Sequence, residues 1–218
     1  MRILGYGIEL KRLTLEDIEL VRQYRNSEKI KQYMEYRDHI SKEQQLNWFN
    51  SVNNINNNYF VIISDKKKVG LIYGANIDWN KKETGNGGIF IWDMNYWNSN
   101  TPGTSSFLLT DTSILLGLKR TYIKVLKTNT RAISFNKSLG YELLPGQENI
   151  YNQKYVLDIE RYKEKRDALV KKIFPHIKNN KVKIIFENDN VINAFYINLI
   201  NNLPESNKIN FEILNHIK

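Results

Sequence analysis

A chain of 218 residues, 41% apolar and 12% aromatic, is long enough for one core domain and an appendage, and too rich in aromatics for a disordered polymer. It contains no Cys, which excludes disulfides, thiolate nucleophiles and Cys-ligated zinc, and its three His, at 39, 176 and 216, are too scattered to suggest a metal cluster. The net charge of +9 suits a phosphate-rich partner, but no basic stripe is interleaved with stacking aromatics, so nucleic acid is not the expected one. The N-terminus has no apolar signal-like region and no apolar run approaches membrane length, so a soluble, cytoplasmic protein without a membrane partner is expected.

In chain order, residues 7–13 read as a first strand. Thr14-Leu-Glu-Asp17 has the form of a capping box with Asp in its last place, opening a helix with Ile18 and Val21 on its apolar face. Ser27 can cap a further helical stretch through Met34, and Ser41-Lys-Glu-Gln44 is a second capping box, ahead of Leu46, Trp48 and Phe49. Residues 53–58 are mostly Asn and mark a loop. Because 29 of the 218 residues are Asn, a single Asn carries less information here than usual. Residues 59–64 and 69–78 read as an antiparallel hairpin, residues 80–87 as a turn and residues 88–95 as the next strand. An apolar stripe over 105–118 predicts a helix behind Pro102. A strand at 121–126, a helix at 129–139 and strands near 141–144 and 151–159 complete a first unit.

Within that unit, residues 129–141 carry the pattern N-x-x-A-x-x-F-x-x-x-L-G-[FY], as Asn129, Ala132, Phe135, Leu139, Gly140 and Tyr141. The pattern and the element order around it resemble the GNAT acyl-CoA N-acyltransferases. The resemblance covers about residues 6–160. It implies an α/β (α+β) fold: a mixed, mostly antiparallel central sheet flanked by helices. The expected organisation is an acyltransferase domain over 1–160 and a small α/β extension over 161–218. The extension reads as a charged helix to about 178, a strand at 181–187, a helix at 191–203 and an extended end. Its 11 Lys and Arg against 6 Asp and Glu make it basic, and it is expected to serve in packing or as a homodimer contact.

The resemblance also implies an enzyme that takes acetyl-CoA as co-substrate and moves the acetyl group to a small-molecule primary amine. Successive backbone N–H groups at a helix N-terminus suit the cofactor's pyrophosphate. The matching stretch here runs through Asn98, Gly103, Thr104 and Ser105, and it departs from the family's glycine-rich turn, with Thr101 in a glycine's place and Pro102 lacking an N–H. Splayed backbone near Asp93 and Met94 is expected to polarise the thioester carbonyl. Asn129 and Asn136 are expected to contact the cofactor, yet Asn136 stands where relatives carry the Tyr that protonates the departing thiolate, and an amide is no general acid. Water, or a hydroxyl such as Tyr96 or Tyr141, is left for that role, or turnover is poor. Asp93 and Glu35 are the carboxylates that fit an amine-facing base.

At the other end, Tyr24-Arg25-Asn26 and the spacing to Ser41, Trp48 and Phe49 resemble the opening of sugar-nucleotide N-acetyltransferases, including those of the pseudaminic acid pathway. Arg25, Asn26 and Glu35 are therefore expected to face an amine that is nucleotide-linked. Arg25 supplies a rigid fork for phosphate or carboxylate, while Asn26 stops the helix or fixes the turn. An N-terminal peptide or small-amine acetyltransferase is the alternative, and so is a non-catalytic ligand-binding module of the same fold.

Overall fold

The computed structural model describes residues 1–175 and 181–216, the side chains of 172 and 173 excepted. The helix expected to reach 178 ends at Ile173, ahead of Pro175, and His176 lies outside the described residues.

Among the described residues ten strands form one sheet. They are β1 (Arg2–Gly5), β2 (Ile8–Arg12), β3 (Asn58–Ser64), β4 (Lys67–Asp78), β5 (Glu83–Ile91), β6 (Arg120–Leu126), β7 (Glu142–Leu143), β8 (Asn152–Asp158), β9 (Val182–Phe186) and β10 (Phe211–Asn215). Their order across the sheet is β10-β9-β1-β2-β3-β4-β5-β6-β8-β7. Only β10 against β9 and β5 against β6 are parallel. The mixed, mostly antiparallel sheet flanked by helices is thus the architecture that the sequence implied.

Helices cover both faces. Helices α1 (Ile18–Asn26), α2 (Glu28–Lys31) and α3 (Lys42–Val52) lie on one face, where Val21, Ile30 and Phe49 bury against Val61, Leu71 and Trp92. Helix α4 (Thr101–Leu115) lies on the other, with Leu108 and Leu115 against Ile3, Leu10, Phe60 and Ile72. Helix α5 (Thr130–Ser138) joins α4 there, with Phe135 packed beside Phe107. The Ser41 box forms in full: Ser41 Oγ accepts from Gln44 N at 3.1 Å and Gln44 Oε1 accepts from Ser41 N at 2.7 Å. At Thr14 the box closes through Asp17, whose Oδ2 accepts from Thr14 N at 3.2 Å.

Several readings of the sequence need correction: the strand expected over 88–95 ends at Ile91, ahead of a 3-10 turn at Met94–Tyr96, and the helical stretch expected through Met34 ends at Lys31. A strand precedes the one expected at 7–13: β1 and β2 form a hairpin across Tyr6 and Gly7, both at positive φ. A two-residue turn of that kind matches the twist of the flanking strands, and Gly7 takes the conformation freely. Residues 80–87 are not all turn, because β5 already begins at Glu83 and its glycines lie inside the strand. A Cβ on Gly87 would stand 3.1 Å from Tyr73 O and 3.3 Å from Tyr122 O, so this part of the strand lies close against both neighbours.

The chain beyond 158 builds on the same sheet. Helix α6 (Ile159–Ile173) starts on an Asp158 cap, and β9 pairs with β1 while β10 pairs with β9. Helix α7 (Val191–Asn201) and the short α8 (Glu205–Lys208) connect those two strands. Val182, Ile184, Phe186, Tyr196 and Ile200 bury in one cluster with Ile3, Leu108 and Leu115. Tyr196 Oη donates to Asn58 Oδ1 at 2.7 Å and reaches Ile55 O at 2.9 Å, fastening α7 to the Asn-rich loop.

Candidate active site

Strands β5 and β6 pair only at Glu83 with Arg120 and at Thr84 with Thr121, and then diverge. Beyond these pairs the facing edges of β5 and β6 form no ladder with each other, and backbone groups that a sheet would saturate open onto a gap. A cleft of about 800 Å³ occupies that gap, walled by residues 86–91 of β5, 123–126 of β6, the start of α4, the N-terminal half of α5 and the segment after α2.

On the α4 side the helix N-terminus offers fewer donors than a glycine-rich turn would. Thr101 N is bonded to Ser99 Oγ at 3.1 Å, Pro102 has no N–H, and Thr104 N is bonded to Asn100 O at 2.8 Å. Gly103 lines the cleft and keeps a first-turn N–H with no protein acceptor among the described residues. Thr104 and Ser105 are buried, and Ser105 Oγ is held by Thr101 O at 2.8 Å. Asn98 lies outside the lining and accepts from Arg131 Nη2 at 2.9 Å. Arg131, which sequence reasoning passed over, lines the cleft, donates also to Trp97 O and lies over the Trp97 ring at 5.5 Å. Arg131 beside this sparse helix terminus and Lys124 on β6 are two cations in the wall of the cleft, which suits a polyphosphate.

Asn129 caps α5, its Oδ1 accepting from Ala132 N at 3.1 Å, and Asn136 Nδ2 donates to Ala132 O at 2.8 Å; both residues line the cleft. Asp93 and Met94 do not line it. Asp93 caps a single 3-10 turn by accepting from Asn95 N at 3.0 Å, and Met94 is exposed on that turn.

On the α1 face, Glu35 lines the mouth beside Tyr33 and Met34, and Tyr33 meets the edge of Trp97 at 5.6 Å. Asn26 lies behind this segment with both polar groups occupied, donating to Ile40 O at 2.9 Å and accepting from Ile40 N at 2.8 Å. It closes the 27–40 segment into a loop. Arg25, expected to face the acceptor, does not itself line the cleft: it lies over Phe90 at 5.9 Å, and its Nη1 is buried without a hydrogen-bond partner. Burial lowers its pKa, and the nearby Tyr73 phenol opposes that shift. Tyr73 lines the cleft beneath it, stacked on Tyr59 at 4.8 Å, with Asn86 alongside carrying a buried Oδ1 that also has no partner. Tyr73 and Asn86 were absent from the sequence reading. Their one signal is the run Gly85-Asn-Gly-Gly88, which straddles the turn expected over 80–87 and the start of the strand expected over 88–95.

A sequence-family model described as Acetyltransferase (GNAT) domain matches residues 8–142. No curated protein matches the chain. Among solved structures, similarity extends to FdhC, a nucleotide-linked sugar GNAT in its apo form, at 21% identity over 78% of this chain and 97% of that one, with a TM-score of 0.64. It extends equally to spermidine N-acetyltransferase from Vibrio cholerae in complex with CoA and spermine, at 18% identity over 72% and 98%, TM-score 0.63. A domain from Methanocaldococcus jannaschii is similar at 20% identity over 69% and 97%, TM-score 0.62. Among the described residues no helix is long and apolar enough to cross a membrane, and no group of His, Cys, Asp or Glu is placed to hold a metal.

Proposed function

The chain belongs to the GNAT acetyltransferase family, which uses acetyl-CoA as co-substrate, and from that premise we propose that its acceptor is a primary amine on an anionic molecule, an amino sugar linked to a nucleotide. One observation carries the choice: the charge of the acceptor end. Glu35 is the sole carboxylate among the residues that line the cleft, and the guanidinium of Arg25 stands behind Tyr73 and Phe90 without an ion-pair partner among the described residues. A polyamine needs several carboxylates to replace its water, whereas a buried, unpaired cation favours an acceptor that brings negative charge. The solved relatives do not decide the point, since sugar-nucleotide and spermidine enzymes are equally similar.

In this reading Gly103, Arg131 and Lys124 hold the phosphates of the co-substrate, Asn129 and Asn136 flank its acyl arm, and Glu35 receives a proton from the incoming amine, directly or through water. Asn26 acts indirectly, by holding the segment that carries Glu35.

The test is thiol release from acetyl-CoA across three acceptor classes. Nucleotide-linked amino sugars should release thiol, and spermidine and N-terminal peptides should not. Release with spermidine or with peptides alone would replace this reading. Arg25→Met should raise KM for the nucleotide-linked amine about 10-fold or more, the loss of one charge-assisted contact, and leave KM for acetyl-CoA unchanged.

A further inference from the structure

The reaction leaves one proton without a carrier, because Asn136 cannot supply it to the leaving thiolate. With Lys124 assigned to the phosphates, tyrosine hydroxyls are the neutral protein acids near the cleft, and their surroundings separate them. Tyr96 Oη donates to Asp65 Oδ2 at 3.0 Å, and Tyr96 does not line the cleft. Tyr141 lines the small cavity beside Asn136 but not the cleft, and its Oη is already paired with Thr121 Oγ1 at 3.0 Å. Tyr33 lines the mouth and is 41% exposed, against the edge of Trp97.

Tyr73 is placed differently. It stands on β4 directly opposite Gly88 of β5, two residues beyond the Leu71–Phe90 pair, so it shares their face, the one covered by α1 and α3. Asn136 comes from α5 on the opposite face, yet Tyr73, Gly87, Gly88 and Asn136 all line one small cavity as well as the large cleft. The gap between β5 and β6 therefore opens beyond Gly87, which still lies close to Tyr122 O, with the phenol on one side and the Asn136 amide on the other. Gly88 is what allows it: a Cβ there would stand 2.9 Å from the Tyr73 hydroxyl and 3.0 Å from its ring. Any side chain at 88 would drive the phenol out of the gap.

We propose that Tyr73 is the catalytic proton carrier of this enzyme, displaced from α5 to β4, with Arg25 as the positioning cation behind it. This rests on the acetyl-transfer reading of the cleft, though not on which amine is used. As the amine nitrogen bonds to the acetyl carbon and the carbon–sulfur bond breaks, the phenol gives its proton to sulfur. The phenolate then takes the surplus proton from nitrogen, so that the amide, the free thiol and the neutral phenol are left. The charge of Arg25, which already bears on the Tyr73 phenol, stabilises the phenolate as it forms. Asn86 Oδ1, buried and unpartnered at the wall, accepts an N–H of the amine.

Burial raises the Tyr73 pKa, opposed by the charge of Arg25 and a hydrogen bond from Asn86. The group is thus protonated at neutral pH, as a donor must be. The ionisable groups around it are Arg25 from α1, Tyr59 from β3, Lys124 from β6 and Glu35 at the mouth.

The test measures thiol release by the full chain with acetyl-CoA and, as nucleophiles, a nucleotide-linked amino sugar and hydroxylamine. Hydroxylamine makes no demand on acceptor recognition, so thiol release with it alone marks a failure of the sugar reading and leaves Tyr73 readable. Tyr73→Phe should lower kcat about 100-fold with either nucleophile, leave KM for acetyl-CoA within about twofold and abolish the alkaline limb of the pH profile. Asn136→Tyr in the Tyr73→Phe background should restore about 10-fold. Tyr73→His, which keeps an ionisable group if the Phe variant folds poorly, should retain more rate than Phe and move the limb toward neutral pH. Either a Tyr73→Phe enzyme within about threefold of wild type, or the same loss in Tyr33→Phe with Tyr73→Phe unaffected, would overturn the assignment. So would a wild type that releases no thiol with hydroxylamine.

Discussion

Arg166 and Arg25 are both drawn out of water, and their surroundings are opposite. Arg166 on α6 is 3% exposed and saturated: Nε donates to Asp111 Oδ1 at 2.8 Å, Nη2 to Asp111 Oδ2 at 2.7 Å and to Tyr6 Oη at 2.7 Å, and Nη1 to Asp167 at 3.0 Å. Tyr6 and Tyr162 donate to the same carboxylate at 3.0 and 3.3 Å. Arg25 has one aromatic face and a buried Nη1 with no partner, and it stands behind Phe90, which lines the cleft, without lining it itself. The first arrangement joins the β1–β2 turn, α4 and α6 and leaves nothing over for a ligand. The second leaves a charge uncompensated next to residues that line the cleft. Polar burial in the same chain therefore serves two ends, and the count of satisfied partners distinguishes them.

The contrast is broken most directly at Asp111. Asp111→Ala leaves Arg166 buried without its counter-charge and should cost about 3–5 kcal/mol, read by urea denaturation of the full chain. Arg25→Met, at an equally aromatic site, removes a charge that already lacks a partner and should stay within about 1 kcal/mol of wild type, while acceptor KM rises. If the two variants lose similar stability, the distinction between a saturated and an open cluster fails.

A smaller effect should come from Asn26→Ala. It removes both bonds to Ile40 that close the 27–40 segment, at about 1–2 kcal/mol, and frees Glu35 and Tyr33 to move. The measurement is KM for the acceptor set against KM for acetyl-CoA. A rise in the first alone is expected, and an equal rise in both would place Asn26 elsewhere in the mechanism.

Legibility in the sequence follows the range of the interactions involved. The Ser41 box, the α5 cap at Asn129 and the β3–β4 hairpin rest on contacts a few residues apart, and periodicity with capping chemistry located them. Strand β1 was missed because Arg2–Gly5 is four residues long and its hairpin turn carries Tyr6 at positive φ, where Asn, Asp or Gly would have signalled a turn; β9, about 180 residues away in the chain, completes its pairing. The start of β5 was missed because its glycines satisfy a close approach of Tyr73 and Tyr122 from neighbouring strands, a demand that local sequence does not display. The candidate site divides in the same way. Glu35, Gly103, Asn129 and Asn136 were named from motif position and line the cleft. Asp93 and Asn98 were named on the same grounds and are occupied in local turns and in holding Arg131. Tyr73, Asn86 and Arg131 carry no motif and are brought in by register and by the divergence of β5 from β6.

The smallest expected effect is a pH dependence at a second saturated site. Asp17 is fully buried; burial alone raises its pKa, but Lys68 Nζ at 2.6 Å and the Thr14 hydroxyl and N–H at 2.8 and 3.2 Å outweigh it, and the net pKa lies below the ordinary Asp value. The folded chain thus binds this proton less readily than the unfolded chain. The stabilisation is fully present above the unfolded Asp pKa of about 4 and is lost as pH falls through the lower folded pKa. Asp17→Asn should therefore be less stable than wild type at pH 6, with the gap closing as the pH is taken below about 4. Urea midpoints across that range measure it, and a gap that stays constant would assign the loss to packing and hydrogen bonding instead of charge. Arg25→Met should follow the wild-type curve over the same range, since the open cluster contributes little to folding and titrates in the rate.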